Sequence, residues 1–265
     1  MKRVLQTTAL LASLAWVMPA QAEATPEAKA KGREIAEEAE RRDRGWGDSS
    51  ADLEMVLTNK RGKESVRKLT IKSLEVESDG DKSLTVFQEP RDVNGTAFLS
   101  FSHSLEPDQQ WLYLPALKRV KRIASANKSG PFLGSEFAFE DLSSFEVDKY
   151  EYEFLRDDNI DGEDVYVVKY IPQYKHSGYK YQEAWIDKAH YRVQKVDFYD
   201  RKGSHLKTLR VTNYQQYLDK YWRADQFMVS NHLTGKKTAL KWHNYQFGTG
   251  LSEKEFNKNS LKRAR

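Results

Sequence analysis

Residues Trp111–Phe145 read WLYLPALKRVKRIASANKSGPFLGSEFAFEDLSSF. Trp111, Tyr113 and Leu114 mark a half-buried strand, and Pro115–Ala116–Leu117 turns the chain into a basic arm of Lys118, Arg119, Lys121 and Arg122. Gly130, Pro131 and Gly134 then break regular structure across a segment that carries Phe132, Leu133, Phe137, Phe139, Leu142 and Phe145. Long irregular loops run over the surface and are polar as a rule. A loop this apolar must lie against another apolar surface, and that surface bears on function.

Upstream of this stretch, Leu53, Met55 and Leu57 alternate with Asp52, Glu54 and Thr58, the period of a half-buried strand. Asn59–Glu64 turns the chain back. Leu69 and Ile71 then share one phase and Leu74 and Val76 the other, which predicts a bulge. Leu84–Gln88, Ala97–Phe101, Gln110–Leu114 and Arg119–Ile123 follow as strands. Downstream come Tyr150–Arg156, Val165–Ile171 and a strand with Tyr179, Tyr181 and Trp185 on one face. Two hairpins close the series, Arg192–Tyr199 with His205–Val211 and Phe227–Leu233 with Thr238–Tyr245. About 11–12 strands with short links predict an antiparallel meander that curls into an open or closed barrel. No linker or repeat divides it, so residues 23–265 are read as a single domain.

A helix is expected ahead of the strands. Thr25 suits its cap, Pro26 its first position and Gly45 its end, with Ala28, Ile35, Ala36 and Ala39 as one stripe. A second, short helix is expected over Ser252–Lys258. Before Glu23, Lys2 and Arg3 precede an apolar run, Val4–Val17, and Ala20-Gln21-Ala22 forms a small-residue cleavage site. Residues 1–22 therefore read as a cleaved signal peptide. Losing Lys2 and Arg3 lowers the formal charge from +4 to +2, which gives no reason to expect nucleic acid. With Cys 0 in the composition, disulfides, thiolate metal sites and cysteine nucleophiles are excluded.

Signals for catalysis are thin. The histidines, His103, His176, His190, His205, His232 and His243, lack metal-ligand spacing, and no GxSxG, Walker or GxGxxG motif is present. No catalytic residue, metal ligand or cofactor is assigned. The basic arm reads either as a solvated strand edge or as a docking surface for an acidic partner or lipid phosphate. The Phe-rich loop reads either as a plug closing a barrel core or as a lid over an apolar cavity.

The runs WLYLPALKRVKRI and GPFLGSEFAFEDL resemble the periplasmic outer membrane lipoprotein-sorting protein family, relatives of the lipoprotein carrier LolA. Ala184–Gly203, AWIDKAHYRVQKVDFYDRKG, and Leu251–Leu261, LSEKEFNKNSL, share the resemblance. It implies a mostly-β, unclosed antiparallel barrel with an N-terminal helix and a helical or loop lid over an apolar cavity. It implies a non-enzymatic periplasmic carrier that shields a lipid or a lipoprotein acyl chain on its way to an outer-membrane acceptor. An inner-membrane transporter of the resistance-nodulation-division (RND) type is the implied donor, and the carrier is expected to be monomeric. In that scheme Trp111, Tyr113, Leu114, Phe132, Phe137, Phe139 and Leu142 line the cavity or its lid. Lys118, Arg119, Lys121 and Arg122 face a partner or a lipid head group. Two other readings stay open: an adaptor or regulatory module of an envelope complex, and an envelope hydrolase.

Overall fold

A computed structural model describes residues 24–259 and 261–264. The expected signal peptide, residues 1–22, lies outside the described residues. Helix α1 (Pro26–Asp43) starts as its sequence predicts, with Thr25 Oγ1 accepting a hydrogen bond from Ala28 N at 3.2 Å. Ile35 and Ala36 form its buried stripe.

Among the described residues thirteen strands follow: β1 (Asp48–Thr58), β2 (Glu64–Leu74), β3 (Lys82–Glu89), β4 (Ala97–Phe101), β5 (Gln109–Leu114), β6 (Arg119–Ile123), β7 (Tyr150–Ile160), β8 (Glu163–Pro172), β9 (Tyr179–Asp187), β10 (Val193–Asp200), β11 (His205–Tyr217), β12 (Tyr221–Asn231) and β13 (Lys237–Phe247). They form one antiparallel sheet in the order β6-β5-β4-β3-β2-β1-β13-β12-β11-β10-β9-β8-β7. The first strand pairs with the last, Leu53 opposite Trp242 and Met55 opposite Leu240. The chain therefore starts at the centre of the sheet and builds outward to β6. It crosses to the far edge at β7 and builds back to the centre. Strands β6 and β7 do not pair, so the barrel is unclosed. The crossover, residues 124–149, is the apolar loop singled out from the sequence.

The inner face is covered in both halves of the sheet, and the outer face over β2–β6. On the inner face, α1 packs over the β7–β10 half with Val168, Tyr170, Ile186 and Phe198, and the crossover packs over the other half with Leu53, Met55, Leu69, Phe87 and Phe98. Leu209 touches both clusters and joins them. On the outer face, Leu84, Val86, Leu99 and Trp111 pack beneath the C-terminal segment through Phe256 and Leu261.

That cover explains the phase change in β2. Leu69 serves the inner cluster and Leu74 the outer one. The β1–β2 register runs unbroken from Thr58–Glu64 to Asp48–Leu74, and the bulge lies instead against β3, at Lys68/Leu69. The expected Ser252–Lys258 helix is a turn: Glu255 Oε2 accepts from Ser252 N and Ser252 Oγ, both at 2.9 Å, but the cap closes on no helix. Phe256 there is anchored on the sheet, and tertiary packing has overridden the local signal.

Gly32 sets how closely α1 approaches β7, since a Cβ there would lie 2.8 Å from Phe154 N. Alanine is otherwise worth about 1 kcal/mol over glycine inside a helix. Here the clash wins, and Gly32→Ala is expected to lower stability by about 1–3 kcal/mol. An unchanged or raised Tm would show that α1 does not sit on β7 in this way.

Candidate functional site

The crossover is almost free of ladder hydrogen bonds. Within it Phe132 N donates to Phe137 O at 2.7 Å, and Phe139 N to Gly130 O at 3.1 Å, closing a small folded loop. Gly134 turns this loop with φ of 82°, and Leu133 before it also has positive φ. Short 3₁₀ turns at Ser125–Asn127, Phe139–Leu142 and Val147–Lys149 complete it.

The loop presses its aromatic side chains into the inner face. The Phe132 ring lies 5.1 Å from Phe98, 5.5 Å from Phe139 and 6.0 Å from Phe87. Phe132 and Phe137 are buried, and Phe139 and Leu142 are packed against the same cluster. Phe145, half out in solvent, stacks on Tyr150 at 5.6 Å. The crossover thus occupies the apolar inner face.

Polar side chains from both halves of the sheet hold it there. Lys207 of β11, almost fully buried, donates to Glu136 O at 2.9 Å and Asp141 Oδ2 at 2.6 Å. Tyr179 OH donates to Asp141 Oδ1 at 2.7 Å. Asn231 Nδ2 donates to Glu136 Oε2 at 2.6 Å, and Glu136 N to Thr238 Oγ1 at 3.0 Å. Glu140 accepts from Gly178 N, Ser177 Oγ and Tyr174 OH at 2.8–3.0 Å. Burial raises the Glu140 carboxyl above its ordinary range, and Asp141 adds to the effect. From the other half, Arg67 donates to Leu133 O at 2.8 Å and Gln110 Nε2 to Phe139 O at 2.9 Å. Gln110 Oε1 is buried without a partner among the described residues. The other end of the same amide is well engaged, since Gln110 Nε2 also lies 3.3 Å from Ser100 Oγ and 3.2 Å from Ser143 Oγ.

The cavity residues expected from sequence divide between the two faces. Leu114 lies on the inner face with Leu112, Phe132, Phe137, Phe139 and Leu142. Trp111 and Tyr113 point the other way and pack with the outer cluster. Strand alternation requires this: Trp111 and Tyr113 are two apart, while Leu114 follows Tyr113 directly. The inner residues of β5 are Gln110, Leu112 and Leu114. The reading of Trp111 and Tyr113 as cavity wall is corrected accordingly; they support the C-terminal segment.

Lys118, Arg119, Lys121 and Arg122 are exposed on edge strand β6 and its entry turn, and none makes an ion pair among the described residues. Lys207, Gln110, Arg67 and Asn231 carried no local sequence signal, since each acts on a segment distant in the chain.

Two surface pockets, of about 260 Å³ and 470 Å³, lie beside Tyr174, Lys180 and Arg201 and beside α1 at Glu34 and Tyr191. Among the described residues no group of three His, Asp or Glu side chains could hold a metal ion. His205 and His232, with ring centres 4.3 Å apart, share Thr208 Oγ1 with Asp197, and neither pocket adjoins them.

An unclosed antiparallel sheet whose apolar inner face receives its own crossover defines a protein of the LolA-superfamily fold. That fold is shared with a LolA superfamily protein of Nitrosomonas europaea, at TM-score 0.69 and 21% identity over 86% of this chain and 98% of that one. A family model described as an uncharacterized protein family matches residues 79–263. A Vibrio parahaemolyticus domain named for outer membrane lipoprotein sorting is 60% identical, with TM-score 0.87 over 89% of this chain and 100% of that one. A DUF1329 family protein of Desulfovibrio piger is 30% identical, with TM-score 0.84 over 88% of this chain and 99% of that one. The chain belongs to the DUF1329 family. A search of curated proteins returns no match.

Two predictions test the seat. Lys207→Met leaves the Asp141 carboxylate buried without its cation and should cost about 3–5 kcal/mol in denaturant unfolding, with faster proteolysis inside residues 124–149. Adding Asp141→Asn should recover part of that loss; a double variant no better than the single would show that the pair does not hold the crossover.

The second concerns Glu146, where the crossover enters β7. The residue is 8% exposed, and burial pushes its carboxyl up to about 8, with Asp81, Glu40 and Asp108 adding to the rise and Lys149 opposing it. Burial likewise raises Asp81 to about 6. Both hold protons when folded that the unfolded chain has released, so their contribution to stability falls as pH rises from the ordinary carboxyl range towards about 8. Glu146→Gln should flatten the decline of Tm between pH 5 and pH 8. An identical slope in wild type and variant would refute the assignment.

Proposed function

We propose that this chain is a non-enzymatic periplasmic carrier that shields the acyl chains of a lipid or lipoprotein on the inner face of its open barrel. The observation that carries the reading is the seat of the crossover: aromatic side chains fill an apolar face, yet polar side chains rather than strand pairing hold them there. A segment held in this way can leave without breaking the sheet. In this reading Leu114, Phe132, Phe137, Phe139 and Leu142 meet the cargo, and the crossover is the gate.

The magnitudes favour exchange. Exposing the four crossover side chains costs roughly 6–12 kcal/mol at about 1.5–3 each. A 16-carbon acyl chain taking their place gains roughly 12 kcal/mol at about 0.8 per methylene. The two terms are comparable, so loading and release need no large external drive.

The leader-like residues 1–22 support export to the periplasm. The name of the 60% identical Vibrio relative supports lipoprotein sorting towards the outer membrane. An RND-type transporter as donor, an outer-membrane acceptor and a monomeric carrier complete the proposal, with Lys118, Arg119, Lys121 and Arg122 facing a partner or a head group. The exposed, unpaired edge β6 also suits an adaptor that grips an envelope transporter.

The test locks the gate. Glu136 N lies 3.0 Å from Thr238 Oγ1, and the chain has no cysteine of its own. Glu136→Cys with Thr238→Cys, oxidised, should abolish uptake of a fluorescent fatty acid, and reduction should restore it. Phe137→Asp should lower the lipid that co-purifies, measured by mass spectrometry. Uptake unchanged by the disulfide would sink the gate.

A further inference from the structure

The meander places alternate turns at opposite ends of the barrel, and those turns differ in charge. At one end lie the six turns β1–β2, β3–β4, β5–β6, β8–β9, β10–β11 and β12–β13. They hold nine Lys and Arg residues, among them Lys60, Arg61, Lys63, Arg201, Lys202 and Lys236, against a single acid, Asp92. All nine are exposed, and none forms an ion pair among the described residues. At the other end, the five turns hold eight Asp and Glu against three basic residues. The modest net charge of the chain conceals this polarity.

Two aliphatic side chains project from the basic end at turn positions: Leu117, 56% exposed, and Leu233, 61% exposed. Projecting leucines amid unpaired cations are the complement of a surface that is anionic outside and apolar beneath. Leu233 is also tied to the crossover. Its backbone N donates to Asn231 Oδ1 at 2.9 Å, and the same Asn231 holds Glu136 through Nδ2.

We propose that the basic end docks on an anionic phospholipid bilayer, with Leu117 and Leu233 entering the interface and the surrounding Lys and Arg facing lipid phosphates. Leu105 and Leu218 are as exposed on turns of the acidic end, so it is the unpaired cations around Leu117 and Leu233 that fit this end, and not the other, to lipid phosphate. Each cation near such a surface strengthens binding about fivefold, and the attraction falls as salt screens it. Docking in this orientation brings Asn231 and the part of the crossover that it holds, at Glu136, towards the membrane surface. The inference rests on surface chemistry and holds whether or not the inner face carries cargo.

The experiment uses lipid-stripped full chain. With no native cysteine, Leu233→Cys accepts a single environment-sensitive fluorophore, and Leu218→Cys, 62% exposed on the acidic end, is the matched control. With phosphatidylcholine vesicles containing phosphatidylglycerol, the label at 233 should shift to the blue and that at 218 should stay unchanged. The shift should be absent with phosphatidylcholine alone and weaken as salt rises. Lys60→Glu, Arg61→Glu and Lys63→Glu together, in the Leu233→Cys background, should lower partitioning at least about a hundredfold. Equal responses at 233 and 218, or a label at 233 silent on anionic vesicles at low salt, would overturn the proposal. Silence on vesicles combined with binding to an acidic protein would assign this end to a protein partner and overturn it as well.

Discussion

One topological constraint organises the molecule: a sheet that begins and ends at its own centre must be crossed once from edge to edge. Because β1 pairs with β13, the chain that reaches β6 has to return at β7, and residues 124–149 make that passage. A crossing segment cannot join the ladder, so its backbone groups need side-chain partners or water. Polar residues that look misplaced in their own strands supply them: buried Gln110 in β5, Lys207 in β11 and Thr238 in β13, and half-buried Arg67 in β2. The Phe-rich composition follows from the same constraint, since the passage runs across an apolar face.

The division of cover follows from it as well. The crossover can shield only the part of the inner face it traverses, and α1 takes the rest, brought close by Gly32. The outer face of β2–β6 has no such neighbour, so the C-terminal segment folds back onto it through Phe256 and Leu261. Strand β5 is therefore apolar on both faces, with Trp111 outward and Leu112 inward. Buried on two sides, it could not show the clean alternation of a half-wet strand.

This explains what could be read in the chain beforehand and what could not. Most strands lie where their period of two puts them, and α1 carried its cap, first-turn proline and stripe in plain order. The hairpin between β11 and β12 was missed because Leu218 and Asp219, both with positive φ, form it without the Asn-Gly or Asp-Gly pair that advertises such turns. The facing of Trp111 and Tyr113 was misjudged because only the C-terminal segment, some 140 residues on, decides which face is outer. Lys207 and Gln110 were invisible for the same reason. A single polar residue in a strand reads as solvent-facing until a distant loop is known to lie over it.

Under the proposed carrier function, the character of the seat bears on how the crossover can be held firmly and still release. A buried ion pair adds little net stability, because desolvation offsets most of its attraction, but it penalises strongly any arrangement that leaves one partner alone in a dry site. Lys207 and Asp141 therefore favour two states of the crossover, fully seated or fully open to water, over half-seated ones in which one charge stays buried unpaired. Apolar contacts from Phe132 and Phe137 set how much the seated state is worth, and the polar contacts set its register. A crossover built from apolar contacts alone would slide among many partial positions. One held by strand pairing would not open at all. In the carrier proposed above, this mixture would make the crossover an all-or-none gate, displaced by an acyl chain only when the aromatic side chains are replaced as a group.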